Sequence, residues 1–301
     1  MDAKELIKGL SDTAFEEVAN AVVLEAQERN LSIPALASVG NLAVEGADSF
    51  EVVDESITVL DTPSGETKET TDTRESIFFQ LAYASHGYNT VARVLGKKEV
   101  NGETLALEFN DWLTEDKLDY VIKAQEADPK LKFTLVATPN VLVTPKELAK
   151  LAKAFGEKQP YPTYIDEALY SKYTKEQLSG TDPSSKTTVF SLIPNKLDER
   201  LTGTVAAQRA RLAELQATEL SDLKVPSPLE AVTYWYTLRA NDNKLNNSEA
   251  FDQTYIRHFD LPEKRVQDWQ FVPDSCVAGS GRPDLSSSRA DDDASGRVVV
   301  G

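Results

Sequence analysis

Trp269-Gln-Phe-Val-Pro-Asp-Ser-Cys-Val-Ala-Gly-Ser-Gly-Arg-Pro-Asp-Leu-Ser-Ser-Ser-Arg-Ala-Asp-Asp-Asp-Ala-Ser-Gly-Arg-Val-Val-Val-Gly301 is the stretch on which the reading of this chain turns. Apolar residues open and close it, and small or polar residues fill its middle. Abundant Gly, Ser and Asp with few large apolar residues describe a disordered tail. Against that, Val272, Val277 and Leu285 punctuate the segment with residues of the buried type. Gly296-Arg-Val-Val-Val-Gly301 is a strand signal where a free tail has none. The pattern predicts ordered loops between strands, a surface fastened at both ends, and a role in binding rather than chemistry.

Upstream of this segment, Tyr255 to Phe259 and Val266 to Val272 alternate as strands do, and Arg297 to Val300 is a further strand candidate. Ser227-Pro228-Leu229-Glu230 is a helix start, with a capping serine, proline in the first turn and an acid at the capping-box position. Thr144-Pro145-Lys146-Glu147 carries the same chemistry. Val189 to Ile193 predicts a strand ending at Pro194, and Phe133 to Ala137 a buried one. Helical spacing covers residues 203–219, 114–126 and 75–95. It also covers 4–28, where Leu6, Leu10, Phe15, Val18, Val22 and Ala26 mark a packing face. The Thr- and acid-rich run 61–73 reads as an exposed loop. Helices dominate before about residue 130 and mixed elements follow, so the class expected is α+β.

The chain has 301 residues, 41% hydrophobic and 27% charged, which is ordinary globular composition. Its 49 acidic against 32 basic residues give a net charge of −17. Such a field repels phosphate, so no nucleic-acid partner is expected. No apolar run approaches the ~20 residues of a membrane span. Cys276 is the only cysteine, which rules out an intrachain disulfide and suits a reducing compartment. The opening residues lack the basic and apolar regions of a secretion signal. A cytoplasmic product is the expectation, with surface or virion display open.

Catalytic and metal patterns are sparse. His86 and His258 are the two histidines, and no Gly-x-Ser-x-Gly elbow is present. Gly96-Lys97-Lys98 lacks the rest of a phosphate loop. Asp291-Asp292-Asp293 lacks the alternating ligands and central glycine of a calcium loop, so neither a metal nor a cofactor is expected. A carboxylate pair of the glycosidase kind has no preferred candidates in so acidic a chain.

Several pieces in order resemble a known family. They are Pro228-Leu-Glu-Ala-Val-Thr-Tyr-Trp-Tyr-Thr-Leu-Arg-Ala240, Thr254-Tyr-Ile-Arg-His-Phe-Asp-Leu-Pro262 and Trp269-x-x-Val-Pro-x-Ser-x-Val277. Gly281, Leu285, Ser288 and Gly296-Arg-Val-x-Val-Gly301 complete the set. The chain is similar to the target, or variable, proteins of diversity-generating retroelements, above all those of small-genome, candidate-phyla bacteria. The resemblance is strongest over 226–301 and extends loosely back to about Lys132. It implies a C-type-lectin-like domain over 131–301, after the mainly helical region, 1–130, that the spacing predicts. In such proteins an error-prone reverse transcriptase changes adenines copied from a template repeat, here within about 268–296.

The resemblance divides the closing segment into two classes. Frame positions are Trp269, Val272, Pro273, Ser275, Val277, Gly281, Leu285, Ser288, Arg297, Val298 and Val300. Display positions are Asp274, Cys276, Ala278, Gly279, Ser280, Arg282, Asp284, Ser286, Ser287, Arg289, Asp291, Asp292 and Asp293, with Asp268 and Gln270 at the margin. All of these except Gln are reachable by changing the adenines of an AAC codon. The display set has no Tyr or Trp, the usual affinity-giving side chains of binding loops. The function implied is non-enzymatic binding of a protein or surface ligand. Two alternatives stay open: an invariant structural or assembly protein of a virion or cell surface, and a hydrolase.

Overall fold

The computed structural model describes residues 68–157, 162–241, 254–277 and 282–301. The predicted helix over 4–28 lies outside them. The described chain opens with four helices, α1 (Lys68–Phe78), α2 (Leu81–Leu95), α3 (Gly102–Trp112) and α4 (Glu115–Ala127). The loop expected over 61–73 is corrected from Lys68 onward, where α1 has already begun. The single helix expected over 75–95 breaks at Phe79–Gln80. There the Gln80 side chain turns inward, accepting from Leu135 N (2.8 Å) and donating to Phe133 O (3.0 Å).

The elements that follow are β1 (Phe133–Pro139), α5 (Pro145–Gly156), β2 (Tyr164–Ile165), α6 (Glu167–Tyr170), α7 (Lys175–Ser179), β3 (Thr188–Pro194) and β4 (Asp198–Gly203). After these come α8 (Val205–Thr218), β5 (Leu223–Lys224), α9 (Pro228–Asn241), β6 (Ile256–Arg257) and β7 (Lys264–Val266). The chain closes with β8 (Trp269–Val277), β9 (Pro283–Arg289), β10 (Ala294–Gly296) and β11 (Val299–Val300). The architecture is α+β.

Local chemistry explains where these elements start. Thr144 and Glu147 form a complete capping box, with Pro145 in the first turn of α5. Such a cap stabilises by about 1 kcal/mol. Ser227 and Glu230 pair in the same reciprocal way, Ser227 N donating to Glu230 Oε2 at 2.8 Å and Glu230 N to Ser227 Oγ at 3.2 Å. Helix α9 is buried continuously from Pro228 to Thr237, so it is a central helix rather than an amphipathic surface one. It lies on α2 so closely that a Cβ on Gly87 would meet Thr237 Oγ1 at 2.3 Å. Glu230, buried in this helix, is compensated by Lys224 at 2.7 Å and by the Ser191 hydroxyl.

Three sheets organise the strands. β1, β3, β11 and β5 form one antiparallel sheet in that order. β4 and β10 form a two-stranded ribbon. β2, β9, β8 and β6 form the third, with β7 also pairing β8. The strand expected over 266–272 is therefore two strands joined by a two-residue turn, Gln267–Asp268, with Gln267 at φ 55°.

Two clusters of buried side chains fill the fold. One joins α1–α4 to β1, β3 and β11 through Leu81, Phe109, Leu118, Leu135, Leu192 and Val300. The other joins α5 and α9 to the third sheet through Leu151, Phe155, Trp235, Ile256, Val277 and Leu285. The described residues, from Lys68 onward, belong to one compact unit. Helices α1–α4 share their core with the strands that follow.

Candidate binding face on the third sheet

Strand alternation sorts the closing segment onto two faces, because residues directly opposite each other in a ladder point the same way. Along β8 and β9 the register pairs Ser275 with Leu285, Asp274 with Ser286, and Cys276 with Asp284. β6 adds Ile256 beside Ser275 and Arg257 beside Asp274. β2 adds Ile165 beside Leu285 and Tyr164 beside Asp284. One face therefore carries Ile256, Ser275, Val277, Leu285 and Ile165 and packs inward. The other carries Arg257, Asp274, Cys276, Asp284, Ser286, Ser288 and Tyr164.

The packed face holds a polar brace. Tyr170 Oη donates to Asp274 O at 2.7 Å. His258 Nδ1 lies 2.7 Å from Pro226 O and Nε2 lies 2.8 Å from Ser275 Oγ. A carbonyl only accepts, so Nδ1 carries the proton and Nε2 accepts from the serine. Burial lowers the His258 pKa to about 4, so the ring is neutral. A serine hydroxyl on a neutral imidazole is hydrolase chemistry in outline, but both side chains are fully buried. Ser287, expected on display, shares this face and donates to Asp166 Oδ2 at 3.0 Å.

The opposite face is polar and half open. Cys276, Ser286, Ser288 and Arg282 are partly exposed, and Tyr164 is exposed. Asp274 and Asp284, expected to point outward, are buried instead, at 5% and 8% exposure. Burial pushes the Asp274 carboxyl up to about 7, against the hydrogen bond from Ser288 (3.1 Å) and the charge of Arg257. Asp284 is raised by the same cause, partly offset by Arg282 Nη2 at 3.0 Å. Asp284 Oδ1 is buried without a hydrogen-bond partner. Burial also pushes the Cys276 thiol up to about 12, so it is no nucleophile at neutral pH.

Beyond β9 the chain turns through Asp291, Asp292 and Asp293, all exposed. Arg257, fully buried, holds this turn from below. Its Nη2 donates to Arg289 O, its Nη1 to Asp292 O (3.4 Å), Gly203 O (3.1 Å) and Gln208 Oε1 (3.2 Å), and its Nε to Ser288 Oγ (2.9 Å). Gln208 reaches Leu201 O and Ala294 O, both at 2.8 Å. Ala290 N donates to Gln270 O and its carbonyl accepts from Val205 N. Gly296 lets the backbone pass this cluster, since a Cβ there would meet Phe259 Cε1 at 2.8 Å.

Among the frame positions, Val272, Pro273, Ser275, Val277, Leu285, Arg297, Val298 and Val300 are buried and Ser288 is half-buried. Trp269 departs from that expectation. It is 47% exposed at the β7–β8 turn, and the Arg289 guanidinium stacks 3.4 Å from its ring centroid. Arg289 also pairs with Asp291 at 2.8 Å. Ala278, Gly279, Ser280 and Gly281 lie outside the described residues.

Sequence reasoning missed Arg257, Gln208 and Tyr164 as parts of this site. For Arg257 a signal existed, an arginine alternating with apolar residues in Tyr255 to Phe259. Among the described residues no group of three or more His, Cys, Asp or Glu is placed to hold a metal ion. In comparisons with known proteins, the chain matches no family model, no curated sequence and no solved structure.

Proposed function

We propose that this protein is a non-enzymatic, ligand-binding display protein whose closing segment is diversified by retroelement mutagenesis on a C-type-lectin-like domain. The family resemblance of residues 226–301 supplies the identity of the process. The observation that carries the reading is how the acidic turn is held. Arg257 and Val205 grip the carbonyls of Arg289, Ala290 and Asp292, and Gln270 takes the amide of Ala290. Asp291, Asp292 and Asp293 meanwhile face solvent. A backbone held through its own amides and carbonyls keeps its course when the side chains change. That is the property a changeable surface needs. The ligand belongs to the protein or surface class, and binding uses the Asp291–Asp293 turn together with the polar face of β8 and β9.

The test is deep sequencing of this gene in one population, with a search nearby for a reverse-transcriptase gene and an adenine-differing near-copy of its 3′ end. Excess substitution at the codons of Cys276, Arg282, Ser286 and Asp291–Asp293 is the expected result, with none at Val272, Val277 or Leu285. Uniform conservation across both sets would overturn the reading and favour an invariant assembly protein.

A further inference from the structure

We infer that Asp274 and Asp284, on the polar face of β8 and β9, form a subsite for one cationic side chain of the partner, a guanidinium or an ammonium. The inference deepens the proposed binding face and rests on it. Both carboxyls lie on the same face by strand register, with Cys276 and Ser286 between them. Both are buried, and Asp284 Oδ1 has no partner. Arg257 stands beside Asp274 in register, yet its hydrogen bonds go to Ser288, Gln208 and backbone carbonyls. The negative charge of Asp274 therefore has a neutral hydroxyl, that of Ser288, as its hydrogen-bond partner.

The chain itself shows what chemistry fits. The Arg282 guanidinium binds Asp284 Oδ2 at 3.0 Å and lies 5.7 Å from the ring centroid of Tyr164. A carboxylate beside an aromatic face is a recognised cradle for a cation. Arg282 takes one oxygen of Asp284 and leaves Oδ1 without a partner, while Asp274 has the Ser288 hydroxyl as its hydrogen-bond partner. An organic cation suits these carboxyls better than a divalent metal, since no metal-holding group occurs among the described residues. Uncompensated buried carboxyls keep their protons, and a bound cation favours their release. The groups facing them are Arg257 and Tyr255 from the β6 side, Tyr170 from α6, Cys276 from β8, Ser288 and Arg282 from the β9 side, and the two carboxyls themselves.

The experiment is a chemical-shift titration of the full chain with ethylguanidinium at pH 8 and at pH 5. Saturable shifts at the Asp274 and Asp284 amides are expected at pH 8, with affinity at least about tenfold weaker at pH 5. Asp284→Asn should weaken binding about tenfold or more. Asp274→Asn, a second near-isosteric variant, should do the same. Arg282→Ala removes the internal competitor and should tighten binding several-fold. Glu126→Gln, which makes the same charge change on an exposed helix position far along the sequence, should leave it unchanged. Linear, non-saturating shifts would overturn the subsite. So would equal affinities in wild type and both asparagine variants, or stronger saturation by Ca²⁺ at the same amides. Failure here leaves the population-sequencing test intact, and an invariant population would leave this subsite standing.

Discussion

Asp274 is the residue at which strand alternation and burial diverge. Its position in β8 marks it as outward, but it is only 5% exposed, with Ser288 hydrogen-bonded to it and Arg257 beside it in register. The energetic result has a definite sign. An unfolded aspartate ionises near 4, whereas folded Asp274 keeps its proton up to about 7. Between those values the folded chain binds more protons than the unfolded one, so this residue's contribution to stability is lost as pH rises through the window. His258 acts in the opposite direction. Its folded pKa of about 4 lies below the ordinary histidine value of 6.5, so its contribution is lost as pH falls from about 6.5 to 4. Asp274→Asn should therefore gain stability relative to the parent as pH rises from about 4 to 7, with the difference level above that. Urea midpoints at unit pH intervals from 4 to 8 would check this, and parallel profiles would refute it.

The turn from Arg289 to Asp293 shows how an element can be rigid in its backbone and permissive in its side chains. Replacing Arg257 with Ala leaves Gln208, Ser288 and several carbonyls without their donor inside the fold. Hydrogen bonds from a charged group contribute about 1.5–3 kcal/mol each, so a loss of roughly 3 kcal/mol or more is expected. Asp291→Asn, Asp292→Asn and Asp293→Asn should each stay within about ±0.5 kcal/mol, because exposed ion pairs such as Arg289–Asp291 contribute little. Denaturant unfolding of the four variants separates the two outcomes.

Elements whose cause is local were legible in the sequence. Thr144–Glu147 and Ser227–Glu230 announce α5 and α9 through their caps, and Val189 to Pro194 announces β3. Features caused by distant residues were not. The break at Gln80 exists because its amide is needed at Leu135, and the depth of Asp284 depends on strands far from it in sequence. Trp269 reads as a frame aromatic, yet the turn at Gln267–Asp268 carries it to the surface. That turn uses a left-handed glutamine, which no turn pattern foretells.

At the scale of the whole molecule, the segment that carries the proposed binding face also completes the central sheet. β11 lies between β3 and β5, with Val300 opposite Leu192 on one side and Leu223 on the other. Val298, Val299 and Val300 are buried, as is Arg297. Val300→Asp would place an unpaired charge in that sheet, where the penalty is several kcal/mol and comparable with the whole stability of a domain. It should abolish cooperative thermal unfolding, while Leu107→Asp at a 63% exposed site should leave the transition within a few degrees of the parent. Calorimetry of both proteins decides the matter.

This placement of β11 acts as a check on the reading frame. Any insertion or deletion of one or two bases within the codons for 278–296 would replace every residue of Arg297–Gly301. The product would lack the strand that joins β3 to β5 and would not fold. Substitutions pass this check and frameshifts do not. A copying process with frequent errors upstream of β11 would thus deliver folded proteins that differ from one another in side chains alone.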